Sequence, residues 1–360
     1  MRRVFLWMLL CGWLAAPPNR AQHPQQPEEP TTRIGVTVEN VVAPVLVFDQ
    51  HGAYVNNIRA DQFHLYDNNK EQNIAVDVIY QPISLVIAIQ ANSHVEQLLP
   101  HVQKIGNLIK PLLIGDQGEA AVIAYDARIR VLQDFTSDAD KITAQIKKIY
   151  PGSTSNRLVD AVVEGTRMLT TRPKSRRRIL ITIGETRDLG SEGRSREALL
   201  GLQFANVLFY GVDMSRIMNV LTAPQPVPRP DNNPPAMHPL PGGVPSTPTT
   251  VAQAYGLNGG TAEFIPLMVE VFKDAKAIFK ANPVEVFTRG TGGSTFGFHS
   301  LHSLEDAMEK VGEELHSQYT VSYNPNNKDV GGWHQIVVQV AGHPEVKRVQ
   351  TRPGYWLAPK

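Results

Sequence analysis

Two kinds of hydrophobic pattern divide the chain. Over residues 33–80 apolar and β-branched residues come in short alternating runs, as in strands with one buried face. "RIGVTVENVVAPVLVFD" (33–49) predicts two strands with a break near Ala43-Pro44. "DQHGAYV" (49–55) reads as a turn at Gly52, and "DQFHLYDNNKEQNIAVDVI" (61–79) as strand, polar hairpin turn, strand. From about Ile83 the pattern changes. Ile83–Ile89 is a continuous apolar strand, and Val95–Leu113 carries apolar residues at helical spacing, with Pro100 set to fit a first turn or to kink it. Strands follow at 119–126 and 128–135, then a helix capped by Thr136-Ser137-Asp138 and running to about Ile149. A helix over 157–170, a strand over 176–184, a helix over 195–206 and a strand over 207–213 continue the alternation.

Residues 223–250 are crowded with proline and predict an exposed loop insertion. A helix is expected at 262–280 and a last one at 301–316, leading into a strand at 317–325. The stretches 333–340 and 345–356 alternate again and are expected to join the N-terminal strands. The implied fold is α/β: a Rossmann-like, doubly wound, mostly parallel sheet covered on both faces, with a flanking antiparallel β module built from both chain ends. The expected divisions are a β module at 33–80, the α/β domain at 81–323 and C-terminal strands at 324–356.

Composition narrows the function. The 360 residues hold 35 basic and 34 acidic side chains, a net charge of +1. Neither nucleic acid nor an acidic membrane surface is indicated as the main partner. Arg2 and Arg3, the apolar run Val4–Ala16 and a small-residue site at Ala21 read as an export signal over 1–21, followed by a flexible linker at 22–32. Secretion, or residence outside the cytoplasm, is therefore expected; an uncleaved N-terminal membrane anchor is the alternative. The single cysteine, Cys11, lies inside that signal, so the mature chain would have no disulfide, zinc–thiolate site or cysteine nucleophile.

The order of motifs resembles a von Willebrand factor type A (VWA) domain, and more closely the VWA-related proteins of acidobacteria. "FDQHGAYVNNIRADQFHLYDNNKEQNI" (48–74), "DQGEAAVIAYDARIRVLQDFTSD" (116–138), "RGTGGSTF" (289–296), "YTVSYNPNNKDVGGWHQIVVQV" (319–340) and "VQTRPGYW" (349–356) carry the resemblance. It covers about residues 33–356.

Such domains often hold a metal-ion-dependent adhesion site. The resemblance implies an Asp-x-Ser-x-Ser loop after the first strand, a Thr from a second loop and an Asp after the fourth strand. A hard divalent cation needs oxygen ligands with one or two carboxylates among them. Here Gln90 stands at the first Asp position, and Asn92 and His94, flanking Ser93, stand at the Ser positions. The second loop, "GSTSNRLVDA" (152–161), offers Thr154 or Asn156, and Ile183 replaces the Asp expected before Gly184. No metal or other cofactor is therefore expected. Glu185 and Asp188 are the one route by which magnesium or calcium binding could be rescued.

Other candidates carry blander readings. Ser93-His94 lacks an orienting acid for nucleophilic chemistry. His299, His302, Glu305 and Asp306 fall within two turns and could hold a metal, but they also suit an amphipathic helix start capped by Ser300 or Ser303. "GTGGST" (290–295) lacks the lysine of a phosphate loop. "RPKSRRR" (172–178) reads as a solvated loop, with anion binding as a minor option.

The expected function is that of an exported, non-enzymatic, protein-binding VWA-like protein with a degenerate adhesion site. Its crest would comprise residues 90–94, 153–157, 184–188 and 290–294, meeting a protein partner by hydrogen-bonded and apolar contact. The alternatives are a rearranged metal-dependent adhesion site, an envelope-associated hydrolase using the 299–306 group, and a structural envelope component.

Overall fold

The computed structural model describes residues 40–77, 81–215, 217–218, 282–297 and 302–357. The expected signal, the linker, the proline-rich insertion and the helix at 262–280 lie outside the described residues.

Six strands form the central sheet: β5 (Ile83–Gln90), β6 (Glu119–Tyr125), β7 (Ile129–Thr136), β8 (Arg177–Gly184), β9 (Val207–Asp213) and β10 (Thr295–Gly297). Their order is β10-β9-β8-β5-β6-β7, and only β7 runs antiparallel. β5 is buried at every position, which is why it reads as an unbroken apolar run. Leu85, Ile87 and Ile89 face one core cluster with Ile142, Ile146, Met308 and Val311. Val86 and Ala88 face the other, with Leu158, Val162, Leu199, Leu202 and Phe287. Helices α1 (Ala139–Ile146) and α5 (His302–Ser317) therefore cover one face, and α2 (Leu158–Thr170), α3 (Ser195–Phe204) and α4 (Pro283–Thr291) the other. The α/β class expected from the alternation is what the chain adopts.

The antiparallel module draws on both chain ends. One sheet has the order β13-β1-β11-β4, from Arg348–Thr351, Val41–Phe48, Tyr319–Tyr323 and Ile74–Asp77. The second has the order β14-β12-β2-β3, from Gly354–Leu357, Gly332–Val340, Phe63–Asp67 and Lys70–Glu71. Val45, Val47, Phe63, Leu65, Val321, Ile336 and Tyr355 fill the space between them, making a small β-sandwich.

Several local expectations give way. No break occurs at Ala43-Pro44: β1 runs straight through it. The β1–β13 ladder starts only at Val45, so Pro44 is paired on the β11 side alone, an edge-like place for a residue lacking an N–H. The 61–79 hairpin turns at Asn68 and Asn69, both with positive φ, but β4 then crosses to the other sheet and pairs with β11. The stretch 345–356 is two strands, split at Arg352-Pro353: β13 pairs with β1 and β14 with β12. Proline cannot donate to a continuing ladder, so the chain changes sheet there. β11 belongs to the sandwich, so the chain leaves the α/β layer before the division expected at 323.

The helical stripe at 95–113 is buried as expected but is not one helix. It breaks into a 3-10 turn at Ser93–Leu98, α pieces at Leu99–Val102 and Gly106–Ile109, and a π turn at Lys110–Ile114. Pro100 and Pro111 each fall at the start of a piece, where a missing N–H is tolerated. In α5, Ser303 is the second helical residue and not the cap.

Candidate functional site

β5 and β8 are neighbours in register, Ile89 beside Ile183, so Gln90 and Gly184 end them side by side. The segment after β5 sends Val95 and Leu98 into one core face, whereas the segment after β8 leads to α3 on the other. A crevice opens at such a reversal, at the carboxyl ends of the strands.

Gln90 fills it from below. Its side chain is fully buried; Oε1 accepts the Glu185 N–H at 2.7 Å, and Nε2 donates to Asn92 Oδ1 at 3.0 Å and Glu185 Oε2 at 2.9 Å. Asn92, also buried, donates to the Thr154 carbonyl at 3.3 Å. Two main-chain bonds, Ser93 N–H to Ser153 O (2.9 Å) and Gly152 N–H to Ala91 O (2.7 Å), stitch the loops together. Asn156 is buried and donates to the Arg187 carbonyl at 2.8 Å, leaving its Oδ1 without a hydrogen-bond partner. Gly184 admits no side chain, because a Cβ there would stand 2.5 Å from the Tyr125 hydroxyl and 2.6 Å from Gln90 Oε1.

The two acids separate. Glu185 turns into the crevice, its carboxylate 3.6 Å from Nδ1 of the exposed His94. Asp188 turns away and binds the start of α2: its Oδ1 accepts the Val159 N–H at 3.0 Å and the Ser191 hydroxyl at 2.6 Å.

A divalent cation of the kind the resemblance implies does not fit this donor set. The amide oxygens of Gln90 and Asn92 are both engaged by N–H donors, and Gln90 turns its NH2 towards the one carboxylate present. Ile183 is wholly buried in the apolar core, so it belongs to the core and not to the binding surface expected of it. Gln90, Asn92, Asn156 and Gly184 are also buried and support the crest from beneath. Ser93, His94 and Thr154 are exposed, with Glu185 and Asp188 half-buried.

Residues 290–294 do not join the crest. Thr295 pairs with Gly211, two residues short of Asp213, which is level with Gly184, and Ser294 O accepts the Gly211 N–H, so this turn rises to β10 from beneath, with Gly292 against Pro44 and Arg352. His299 and the side chain of His302 lie outside the described residues.

Two residues under the crest escaped the motif search. Tyr125 ends β6 fully buried, and its hydroxyl has no hydrogen-bond partner. Burial, with the nearby charges of Glu185 and Asp188, pushes its pKa far up. Asp126 follows, almost fully buried, its Oδ1 accepting the Arg128 N–H at 2.7 Å and its Oδ2 3.6 Å from Arg130. The carboxylate packs so closely on Gly152 that a Cβ there would collide with it. The strand-end logic that found Gln90 would have found Asp126 after β6.

No protein-family model matches the chain, and no curated protein sequence matches it. Solved structures do match in part. The vWF domain of the type V pili tip protein Mfa5 from Porphyromonas gingivalis is 15% identical, with a TM-score of 0.26, over 31% of this chain and 40% of that one. The chain thus spans less than half of the Mfa5 domain. The conserved hypothetical protein BatB from Bacteroides thetaiotaomicron is 16% identical, with a TM-score of 0.40, over 65% of this chain and 98% of its own. An aerotolerance-related membrane protein from Bacteroides fragilis is 12% identical, with a TM-score of 0.37, over 64% and 99%.

Proposed function

We propose that this chain is an exported, non-enzymatic, VWA-like protein, related to the acidobacterial group, whose crest binds a protein partner without a bridging cation. One observation carries the reading: the fully buried Gln90 turns its amide to Glu185 and Asn92 at the place where a cation would need a carboxylate. The exposed rim of Ser93, His94 and Thr154 offers hydroxyl and imidazole groups for direct contact. Export rests on the pattern of Arg2, Arg3 and Val4–Ala16. Among the described residues no helix is long and apolar enough to cross a membrane.

Cross-linking from a photoreactive residue placed at His94, in the native envelope, tests partner binding. A discrete adduct that persists in EDTA is expected. An adduct lost on chelation would overturn the cation-free reading, and no adduct would overturn the crest as the binding surface.

The Glu185 carboxylate, turned towards His94, favours a second reading in which one rearranged cation is held there. Titration with magnesium, calcium and manganese separates the two: binding that Glu185→Gln abolishes would establish it.

A further inference from the structure

The basic run 172–178 leads into β8, which begins at Arg177, so Arg177 and Arg178 stand at the edge of the sheet opposite the crest. A cavity of about 390 Å³ opens there, between the α/β layer and the β-sandwich. Lys174, Arg177, Arg178 and Arg352 line it, and Asp77 is the only acid among its described lining residues. The Gln81 amide already engages that carboxylate.

Among the described residues, two of these cations have no carboxylate in a salt bridge with them. Arg178 donates to the carbonyls of Ala205 (3.0 Å) and Arg172 (2.6 Å), and its buried Nε has no partner. Arg352 is 3% exposed and donates to the carbonyls of Val42 (3.1 Å) and Gly354 (3.3 Å). The Nε2 of Gln318, another lining residue, is also buried without a partner. Asp67 acts on Arg352 from a distance, but its carboxylate is already matched by His334. The Arg352 guanidinium, buried among carbonyl dipoles with the Tyr355 ring 5.6 Å away, keeps a poorly balanced charge in a medium of low dielectric, and Arg178 is half-buried beside it in the lining. Burial depresses the Arg352 pKa to about 10, against the opposing pull of Tyr323, Tyr355 and Asp67.

We propose that this cavity binds a small phosphorylated molecule, with its phosphoryl group held by Arg178, Arg352 and Lys174. A phosphate monoester brings nearly two negative charges and three acceptor oxygens, enough for guanidinium forks and for the unpartnered N–H donors together. The volume falls at the lower end of small-molecule sites, which run from roughly 300 to 1,000 Å³. The site is separate from the crest and independent of the reading given for it.

Calorimetric titration of the full chain with ribose 5-phosphate, inorganic pyrophosphate and ribose, in about 0.15 M chloride, tests the proposal. Saturable binding of one ribose 5-phosphate per chain is expected, with ribose inert. Lys174→Gln and Arg178→Lys should each weaken it about tenfold or more. Lys174 is exposed, so its substitution keeps the test valid if the Arg178 variant fails to fold. Tighter binding of pyrophosphate would make a free polyphosphate anion the occupant and overturn the organic ligand. No saturable binding up to millimolar concentration, or binding untouched by both substitutions, would overturn the site itself.

Discussion

His334 Nδ1 stands 2.7 Å from Oδ1 of Asp67, and neither side chain reaches solvent. This pair joins the two ends of the chain, Asp67 closing β2 and His334 lying in β12, the strand paired with β2. The hydroxyls of Tyr323 and Tyr355 donate to the other carboxylate oxygen at 2.9 and 2.8 Å, and the Asn327 amide donates to Oδ1 at 3.0 Å. Removing one partner of a buried ion pair strands the other. Asp67→Asn should therefore destabilise the protein by about 3 kcal/mol or more, read as a fall in the urea midpoint at constant m-value.

The pair also makes stability depend on pH. Burial alone would lower the His334 pKa, but the bond to Asp67, the Val330 carbonyl and the Asp67 charge together raise it. That stabilisation is complete below about pH 6.5 and lost as pH rises through the folded value. Glu314 acts in the same direction. It is 3% exposed, and burial lifts its pKa to about 7 against the Ser294 hydrogen bond, the neighbouring Tyr210 hydroxyl and the Arg348 charge. Its contribution is complete below about pH 4.5 and lost as pH rises through 7, a loss of about 3 kcal/mol. Glu314→Gln should flatten the pH profile and stabilise the protein at pH 8, as denaturation series at pH 5 and pH 8 would record.

The crest makes its own prediction. Gln90→Glu would set a second carboxylate about 3 Å from that of Glu185, where an N–H···O bond of 2.9 Å now stands. A loss of about 2 kcal/mol is expected in EDTA, recovered in part on adding magnesium or calcium. The unmodified chain should melt at the same temperature with and without these ions. Thermal scans of both proteins in the two buffers check it.

Asp188 has a structural role. Asp188→Ala removes the acceptor of the Val159 N–H and the Ser191 hydroxyl at the start of α2. A loss of about 1–2 kcal/mol is expected, by analogy with losing a helix cap. Cation titrations of the variant should match those of the parent.

Periodicity revealed most of the frame. β9 was legible to the residue, and β8, α2 and α3 to within one or two, because burial on one or both faces leaves a local signature in the order of residues. Asp138 caps α1 as its type suggests, accepting from Asp140 N–H and Lys141 N–H. That amide side chains, Gln90 and Asn92, stand at the end of β5 could be read too, since it depends on residue identity at a strand end. Other features have no local mark. The passage of β1 through Pro44 and the switch of sheet at Pro353 depend on which strand lies alongside. The opposite fates of Glu185 and Asp188 depend on what each meets, and so does the shelter that buries Gln90, Asn92 and Ile183. Arg178 and Arg352 are far apart in the chain and line one cavity only because the turn between β13 and β14 returns to meet Val42 of β1 and Gln203 of α3. Hydropathy is a property of short stretches, whereas direction, exposure and charge balance arise between segments that meet only after the chain has folded.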